Sequence, residues 1–288
     1  MGKLLGGAAK MSLGNLDIRK LLATVLLFAV GLTFLLPFAW MVSTSFKPEA
    51  EVFIYPIEWI PKQWKAIENY KEVWLGQYPF YLFYWNSIKV AVLTTFCSLL
   101  FSCMAAYAFA KIEFKGRDIA FLVVLATYMI PNQAILVPQF IIFRELQLFD
   151  THTGLILLNS FSVLGTFLLR QFFLGINHEY MEAAKMDGAG HIRIFLTVAV
   201  PLVKPAIATY GILRFIWTWN DYQNPLIFLR SEHLLTLQIG IRKFADAYGD
   251  FYSLIMAGSV IAIAPLLIIF IVGQKHVIAG ISLGGVKG

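Results

Sequence analysis

Six runs of predominantly apolar residues punctuate the chain, near positions 20–43, 88–110, 118–142, 154–174, 205–228 and 252–273. About 20 such residues carry a helix across the hydrocarbon of a bilayer. Within that slab every backbone N–H and C=O must be paired without water, so only helices and closed barrels cross it. Runs of this length predict helices. The expected fold class is all-α: a polytopic membrane protein with six transmembrane helices.

Composition points the same way. Hydrophobic residues make up 59% of the 288 positions and charged residues 14%, and the mean hydropathy is +0.71. A soluble domain carries about a quarter charged residues, because even a well-packed globule needs a charged surface. The formal net charge of +6 would raise nucleic acid as a partner for a soluble chain. Here the basic residues fall at the ends of apolar runs, where they orient a protein in the bilayer. The lipid bilayer is therefore the expected surrounding, and nucleic acid is not an expected partner. Cys97 and Cys103 lie six positions apart in one apolar run, a spacing that a disulfide on one helix does not fit. Arg19 and Lys20 precede an apolar stretch in the manner of a signal peptide. However, Leu21–Val42 is too long for a signal core, and no small-x-small site follows it, so a retained first span is expected.

The chain divides as a single membrane domain, 1–288. It has an N-terminal arm (1–19), a long polar segment (46–85), a second polar segment (175–204) and a tail (274–288). With both termini on one side, thirteen of the 23 basic residues fall on that side and nine on the other, the remaining one being Arg214. The side richer in Lys and Arg is the cytoplasmic one. Cytoplasmic termini, an extracytoplasmic 46–85 segment and a multi-pass location in the cell membrane are expected.

The segment NHEYMEAAKMDGAGHIRIFLTVAVPLVKP, starting at Asn177, is the most informative stretch. Asn177 can cap a short helix with Glu179 in its first turn. Gly188 and Gly190 can end that helix in the left-handed region. A second amphipathic run, His191 to Val200, leads to Pro201 and Pro205, which suit a helix start better than its interior. Taken by itself, this helix–turn–helix fits either a surface-lying amphipathic loop or a docking element for another protein, presenting the small residues Ala183 and Ala184. The order Glu182-Ala183-Ala184, Asp187-Gly188-Ala189, then Pro201, closely resembles the EAA loop of permease subunits in bacterial and archaeal ATP-binding-cassette (ABC) importers. The segments MIPNQAILVPQF, FLLRQFF, WNDYQNPLIFL and the terminal GISLGGVKG extend the resemblance to the maltose-permease-like branch.

That resemblance implies a cytoplasmic coupling helix between spans four and five, with Glu182, Ala183, Ala184, Asp187, Gly188 and Ala189 contacting an ATPase subunit. It also implies the partners: a second homologous permease, an ABC ATPase dimer, an extracytoplasmic solute-binding protein and a carbohydrate substrate. ATP and Mg would be bound by the ATPase subunits, with no cofactor in this chain. No GxxxxGK[ST] segment is present, so the chain is not expected to hydrolyse ATP itself. The absence of HExxH and GxSxG weakens a membrane-embedded hydrolase. A secondary transporter would be expected to show internal repeats, and none is detectable. No catalytic residues and no metal ligands are expected, because the five histidines are scattered and read as unremarkable loop residues.

Polar side chains inside apolar runs usually face protein or water. Asn132, Gln133, Arg214, Trp217, Asn220, Asp221, Gln223 and Asn224 are the candidates for a translocation pathway. For Arg214 and the amides, a wet pathway and a structural hydrogen-bond network both fit. For Trp217 and Trp219, sugar stacking and interfacial anchoring both fit. Arg214 and Asp221 lie about 10 Å apart along one helix, so a partner on another helix is expected for the arginine. Asn132 and Gln133 follow Pro131, with Pro138 beyond, and a kink there is expected.

Orientation is directly testable. In a background lacking Cys97 and Cys103, a cysteine placed in 46–80 should react with impermeant reagents in intact cells, and one at the C-terminus should not. The reverse pattern would overturn the topology.

Overall fold

The computed structural model describes residues 18–246 and 249–285. Most of the N-terminal arm, and the last residues of the terminal GISLGGVKG segment, lie outside the described residues. Among the described residues the regular structure is helical, as expected for an all-α chain, with one two-residue antiparallel ladder, Ala245–Asp246 with Gly249–Asp250.

Among the described residues three helices are long and apolar enough to cross a membrane: α1 (Ile18–Ser45), α3 (Phe80–Lys111) and α14 (Tyr252–Gly285), the last over Tyr252–Lys275. Between α1 and α3 lies a short helix, α2 (Ala66–Leu75). Three further stretches are bent pairs: α4 (Arg117–Thr127) with α5 (Asn132–Glu145) at 96°, α6 (His152–Leu158) with α7 (Val163–Leu174) at 50°, and His191–Leu202 with α11 (Lys204–Trp219) at 80°. Counting each pair as one span gives six. The segment between α7 and α11 holds α8 (His178–Met186), α9 (His191–Ile194), a π turn at Phe195–Ala199 and α10 (Val200–Leu202). After α11 come α12 (Gln223–Phe228) and α13 (Leu237–Arg242).

Several boundaries differ from those read in the sequence. The second span starts at Phe80 rather than 88: Asn86 and Ser87, which interrupt the apolar run, are paired with the His233 and Leu235 carbonyls and the Leu237 N–H, so the helix passes through them. The fifth run does not continue to 228. α11 stops at Asn220, whose Nδ2 takes the Ile216 carbonyl at 2.9 Å, and the chain restarts as α12. The expected kink in the third run falls at Pro131, which precedes the first residue of α5, while Pro138 sits inside that helix. The break in the fourth run was not expected at all.

α3 is the centre of the packing, in contact with α6, α7, α11 and α13. Small residues on its buried face, Ser87, Ala91, Thr94, Ser98, Ser102 and Ala106, let neighbouring backbones approach closely. Aromatic and aliphatic clusters fill the two ends. Phe80, Phe83, Trp219, Leu237 and Phe244 pack near the start of α3, and Tyr107, Leu169, Phe173, Met181 and Tyr210 near its end. Between them the Tyr210 hydroxyl reaches Ser98 Oγ at 2.9 Å. Its ring lies against Gly165, where an added Cβ would stand 2.2 Å from Tyr210 Cζ. α1 is the opposite case: it packs on α14 and α2 and is exposed along its apolar middle, as a helix bathed in lipid can be.

The polar segment after α1 is tied down rather than loose. Asn69 Nδ2 donates to the Ser45 and Lys47 carbonyls at 3.0 and 2.8 Å. Lys47 is buried, donates to the Glu58 carbonyl and lies 4.3 Å over the Trp40 ring. Burial pushes its ammonium below the ordinary lysine range against the opposing pull of Glu58 and Glu51. The Glu49 carboxylate accepts from the N–H groups of Tyr252 and Ser253 at 3.0 and 2.8 Å, holding the first turn of α14. Asp150 accepts from the Arg230 and Ser231 N–H groups at 2.8 and 2.9 Å and from the Ser231 hydroxyl. Burial alone would raise its carboxyl, but these donors hold it below the ordinary value.

The close approach at Gly165 generates a prediction. Gly165→Ala should lower the melting temperature of the purified protein in detergent, by an amount corresponding to about 1–3 kcal/mol of overpacking. Gly31→Ala, on α1 with nothing within 4 Å of the new methyl, should leave it unchanged. Equal effects would contradict the packing at α3, α7 and α11.

Candidate functional site

The polar residues singled out inside the apolar runs separate into two groups. Arg214, on α11, donates through Nη2 to the backbone oxygen of Asn159 and, at 3.2 Å, to Asn159 Oδ1. Asn159 is the C-cap of α6, where helix carbonyls run out of intrahelical donors. The arginine's partner is thus on another helix, at the unexpected break in the fourth run. Asp221 is engaged locally: its Oδ1 accepts from the Asn224 N–H at 3.1 Å and its Oδ2 from Asn224 Nδ2 at 2.7 Å. It holds the start of α12.

Trp219, unlike Trp217, is buried with its Nε1 donating to the Ala262 carbonyl at 3.0 Å, so it is open neither to a sugar nor to an interface. The other candidates face outward. Trp217, Asn220 and Gln223 are exposed beside this cluster, and Asn132 and Gln133 are exposed at the start of α5. The structure therefore half-buries Arg214, Asp221 and Asn224, with Arg214 bonded to Asn159 and Asp221 beside it, and leaves five of the eight candidates on the outside of this chain. Asn159 escaped the sequence reading, although the pair Asn159-Ser160 interrupting an apolar run was its signal.

The second region is the segment between α7 and α11. The Asn177 side chain accepts from the Glu179 N–H at 3.2 Å, capping α8. Gly188 takes φ +77°, the left-handed value that ends the helix. Gly190 does not: its φ of −73° and ψ of 166° are extended. The second amphipathic run is not a simple helix either. Pro201 lacks an N–H and would crowd the carbonyl four residues back, and the wider π turn at Phe195–Ala199 precedes it.

Met181 is buried among Tyr107, Phe173 and Ile194, with Ala184 and Ala189 partly buried against the same cluster. Glu182, Ala183, Asp187 and Gly188 face outward, beside the exposed apolar side chains of Tyr180, Met186 and Ile192. The Glu182 carboxylate lies 3.0 Å from His178 Nδ1, a pairing of a histidine that the sequence reading passed over. His152, likewise taken for a loop residue, is a buried part of α6 bonded to the Leu234 carbonyl at 2.8 Å. Lys111 Nζ donates to the Ile176 carbonyl at 2.7 Å, and Arg170 Nε to that of Phe109 at 3.2 Å. These bonds fix the entry to α8 on the end of α3. Among the described residues no group of three or more His, Cys, Asp or Glu could hold a metal.

Comparison with known proteins places this architecture. Residues 98–282 match the family described as binding-protein-dependent transport system inner membrane component. The arabinooligosaccharides transport system permease protein of Bacillus subtilis is 34% identical over 273 residues, covering 94% of this chain and 97% of that protein. The melibiose/raffinose/stachyose import permease protein of the same organism is 31% identical over 275 residues, covering 92% and 96%. Among solved structures, a bacterial ABC transporter involved in the import of the acidic polysaccharide alginate superposes with a TM-score of 0.80 at 28% identity, over 90% of this chain and 96% of the matched chain.

The side-chain bond between Arg214 and Asn159 Oδ1 can be isolated by a double-mutant cycle, because Asn159→Ala keeps the backbone oxygen that Arg214 also reaches. Asn159→Ala should lower the melting temperature of the otherwise unmodified protein and change it little in an Arg214→Ala background, with a coupling of about 0.5–3 kcal/mol. Additive losses would show that the two side chains act independently.

Proposed function

This chain belongs to the family of binding-protein-dependent transport system inner membrane components, and on that premise we propose that it works as one of two homologous permeases lining the membrane path of an oligosaccharide importer. The relatives named for arabinooligosaccharides and for melibiose, raffinose and stachyose support a neutral oligosaccharide as the cargo. In this reading the six spans are α1, α3, α4–α5, α6–α7, α11 and α14. Both termini and the 175–204 segment are cytoplasmic, and 46–85 is extracytoplasmic, where a solute-binding protein delivers the sugar. A separate ABC ATPase dimer binds ATP and Mg.

The observation that carries the proposal is α8. It is a short helix ended by a left-handed glycine, seated by Met181 on the protein's own core, with Glu182, Ala183 and Asp187 turned outward. A helix held on one side and presenting small and acidic residues on the other is built to enter a cleft in a partner. A two-fold ATPase dimer offers two such clefts, and this chain supplies one such helix, which calls for the second permease. Closure of the ATPases on ATP would draw the two coupling helices together and favour an outward-facing cavity, and hydrolysis would restore the inward-facing state. ATP shifts the equilibrium by binding one state better than the other. The outward-facing candidates Asn132, Gln133, Trp217, Asn220 and Gln223 are the groups of this chain available to a pathway between two permeases. Arg214 and Asp221, already engaged internally, hold the wall.

Two substitutions test the coupling role. Glu182→Lys reverses a charge on the presented face. Gly188→Val forces a β-branched residue into the left-handed region, where space is free but the backbone is opposed. Both variants should insert normally, lose substrate-stimulated ATPase activity and sugar uptake, and retain the ATPase subunit more weakly on purification. Uptake at the unmodified rate with full ATPase recovery in both would sink the assignment.

A further inference from the structure

Two buried hydroxyls that lack a hydrogen-bond partner among the described residues, Thr218 Oγ1 and Thr236 Oγ1, belong to residues that line one cavity. Thr236 is only 4% exposed. Thr236 and Thr218 line an enclosed cavity with Ser87, Asn159 and Asp221, among apolar neighbours. Arg214 reaches the same wall through Asn159. The cavity leaves ≈ 10 Å³ for the centre of a water-sized sphere, close to the room that one water needs. Hydroxyls buried without a partner are costly, and buried polar groups of this kind are commonly satisfied by ordered water.

We propose that this cavity is a resident site for a single water molecule, bridging the Thr218 and Thr236 hydroxyls and the Asp221 carboxylate. A cation fits the chemistry less well. The Arg214 guanidinium already brings positive charge to the Asn159 wall. The cavity is also too small and too enclosed for a sugar. Its walls join three discontinuities: the break after α6 at Asn159, the end of α11 at Thr218 and Asp221, and the N-cap of α13 at Thr236. Ser87 Oγ, on α3, accepts from the Leu237 N–H at 2.7 Å and pins α13 beside the site. The water would complete the polar pairing where these segments meet, and so fix them to one another. The site is formed by this chain alone and does not depend on which solute is carried.

Thr→Val is nearly isosteric and removes only the hydroxyl, so the sign of its effect distinguishes a wet site from a dry one. In the purified transporter, Thr218→Val and Thr236→Val should each lower the melting temperature by about 2–4 °C. Thr236→Ser, which keeps the hydroxyl, should lose less than Thr236→Val. Because both hydroxyls serve one water, the double valine variant should lose less than the sum of the singles. A rise in melting temperature on removing either hydroxyl would mean a dry cavity and overturn the proposal, as would strict additivity. A melting temperature that falls when sodium is replaced by choline would assign the site to a cation instead. Should Thr236→Val fail to assemble, the sign of the Thr218→Val shift decides in the same way.

Discussion

Helix breaks inside an apolar slab must find partners for the backbone groups they release, and the rest of this structure is arranged around meeting that requirement. At the break between α6 and α7, the freed Asn159 carbonyl receives the Arg214 guanidinium. The Ser162 N–H and carbonyl meet Ser102 of α3 at 3.3 Å, and the Ser162 hydroxyl caps α7 through the Gly165 N–H at 3.0 Å. Where α11 ends, Asn220 and Asp221 perform the same service with amide and carboxylate. Leaving such groups unpaired in hydrocarbon costs several kcal/mol each, so the serines of α3 and the arginine of α11 stabilise a bent path that would otherwise straighten or unfold. An arginine within an apolar run is in this light a bond to a broken helix, and its charge is incidental to its donors.

The same requirement mounts α8. Lys111 and Arg170 reach carbonyls at the ends of α7 and α3, and Met181 closes a cluster shared with α3, α7 and α11. Interiors packed at crystal-like density transmit displacement rather than absorb it. A push on the outer face of α8 therefore passes to the cluster around Tyr107, Phe173 and Tyr210, and the Tyr210 ring bears on Gly165 of α7. α8 is in mechanical contact with the helices that carry the breaks, which is the arrangement a coupling element needs.

Much of this was legible in the sequence. The long apolar runs announced the membrane helices, because burial in lipid demands length and hydrophobicity that nothing else in the chain imitates. Asn177 and Gly188 announced the ends of α8 through capping chemistry that depends on a few neighbouring residues. The need for Arg214 to find a partner on another helix followed from rise per residue alone. What stayed hidden depends on tertiary contact. Asn159 reads as one polar residue in an apolar run until Arg214 arrives from 55 residues away. Gly190 has the same freedom as Gly188, but its backbone is set by the following helix start. The end of α11 near residue 220 was obscured by the apolar residues of α12, which pack on α6 rather than prolong the span. His178 beside Glu182 is a four-residue helical spacing that could have been noticed.

The central claim is that the outward face of α8 enters an ATPase subunit on the cytoplasmic side. A single cysteine at the exposed Ala183, in a background without Cys97 and Cys103, tests it by proximity. In membranes holding the assembled complex, a short thiol-reactive cross-linker should join that cysteine to the ATPase subunit, and its yield should change when ATP is added. A cysteine at position 183 that labels from outside intact cells, or that links to no ATPase subunit while the complex is intact, would contradict the account.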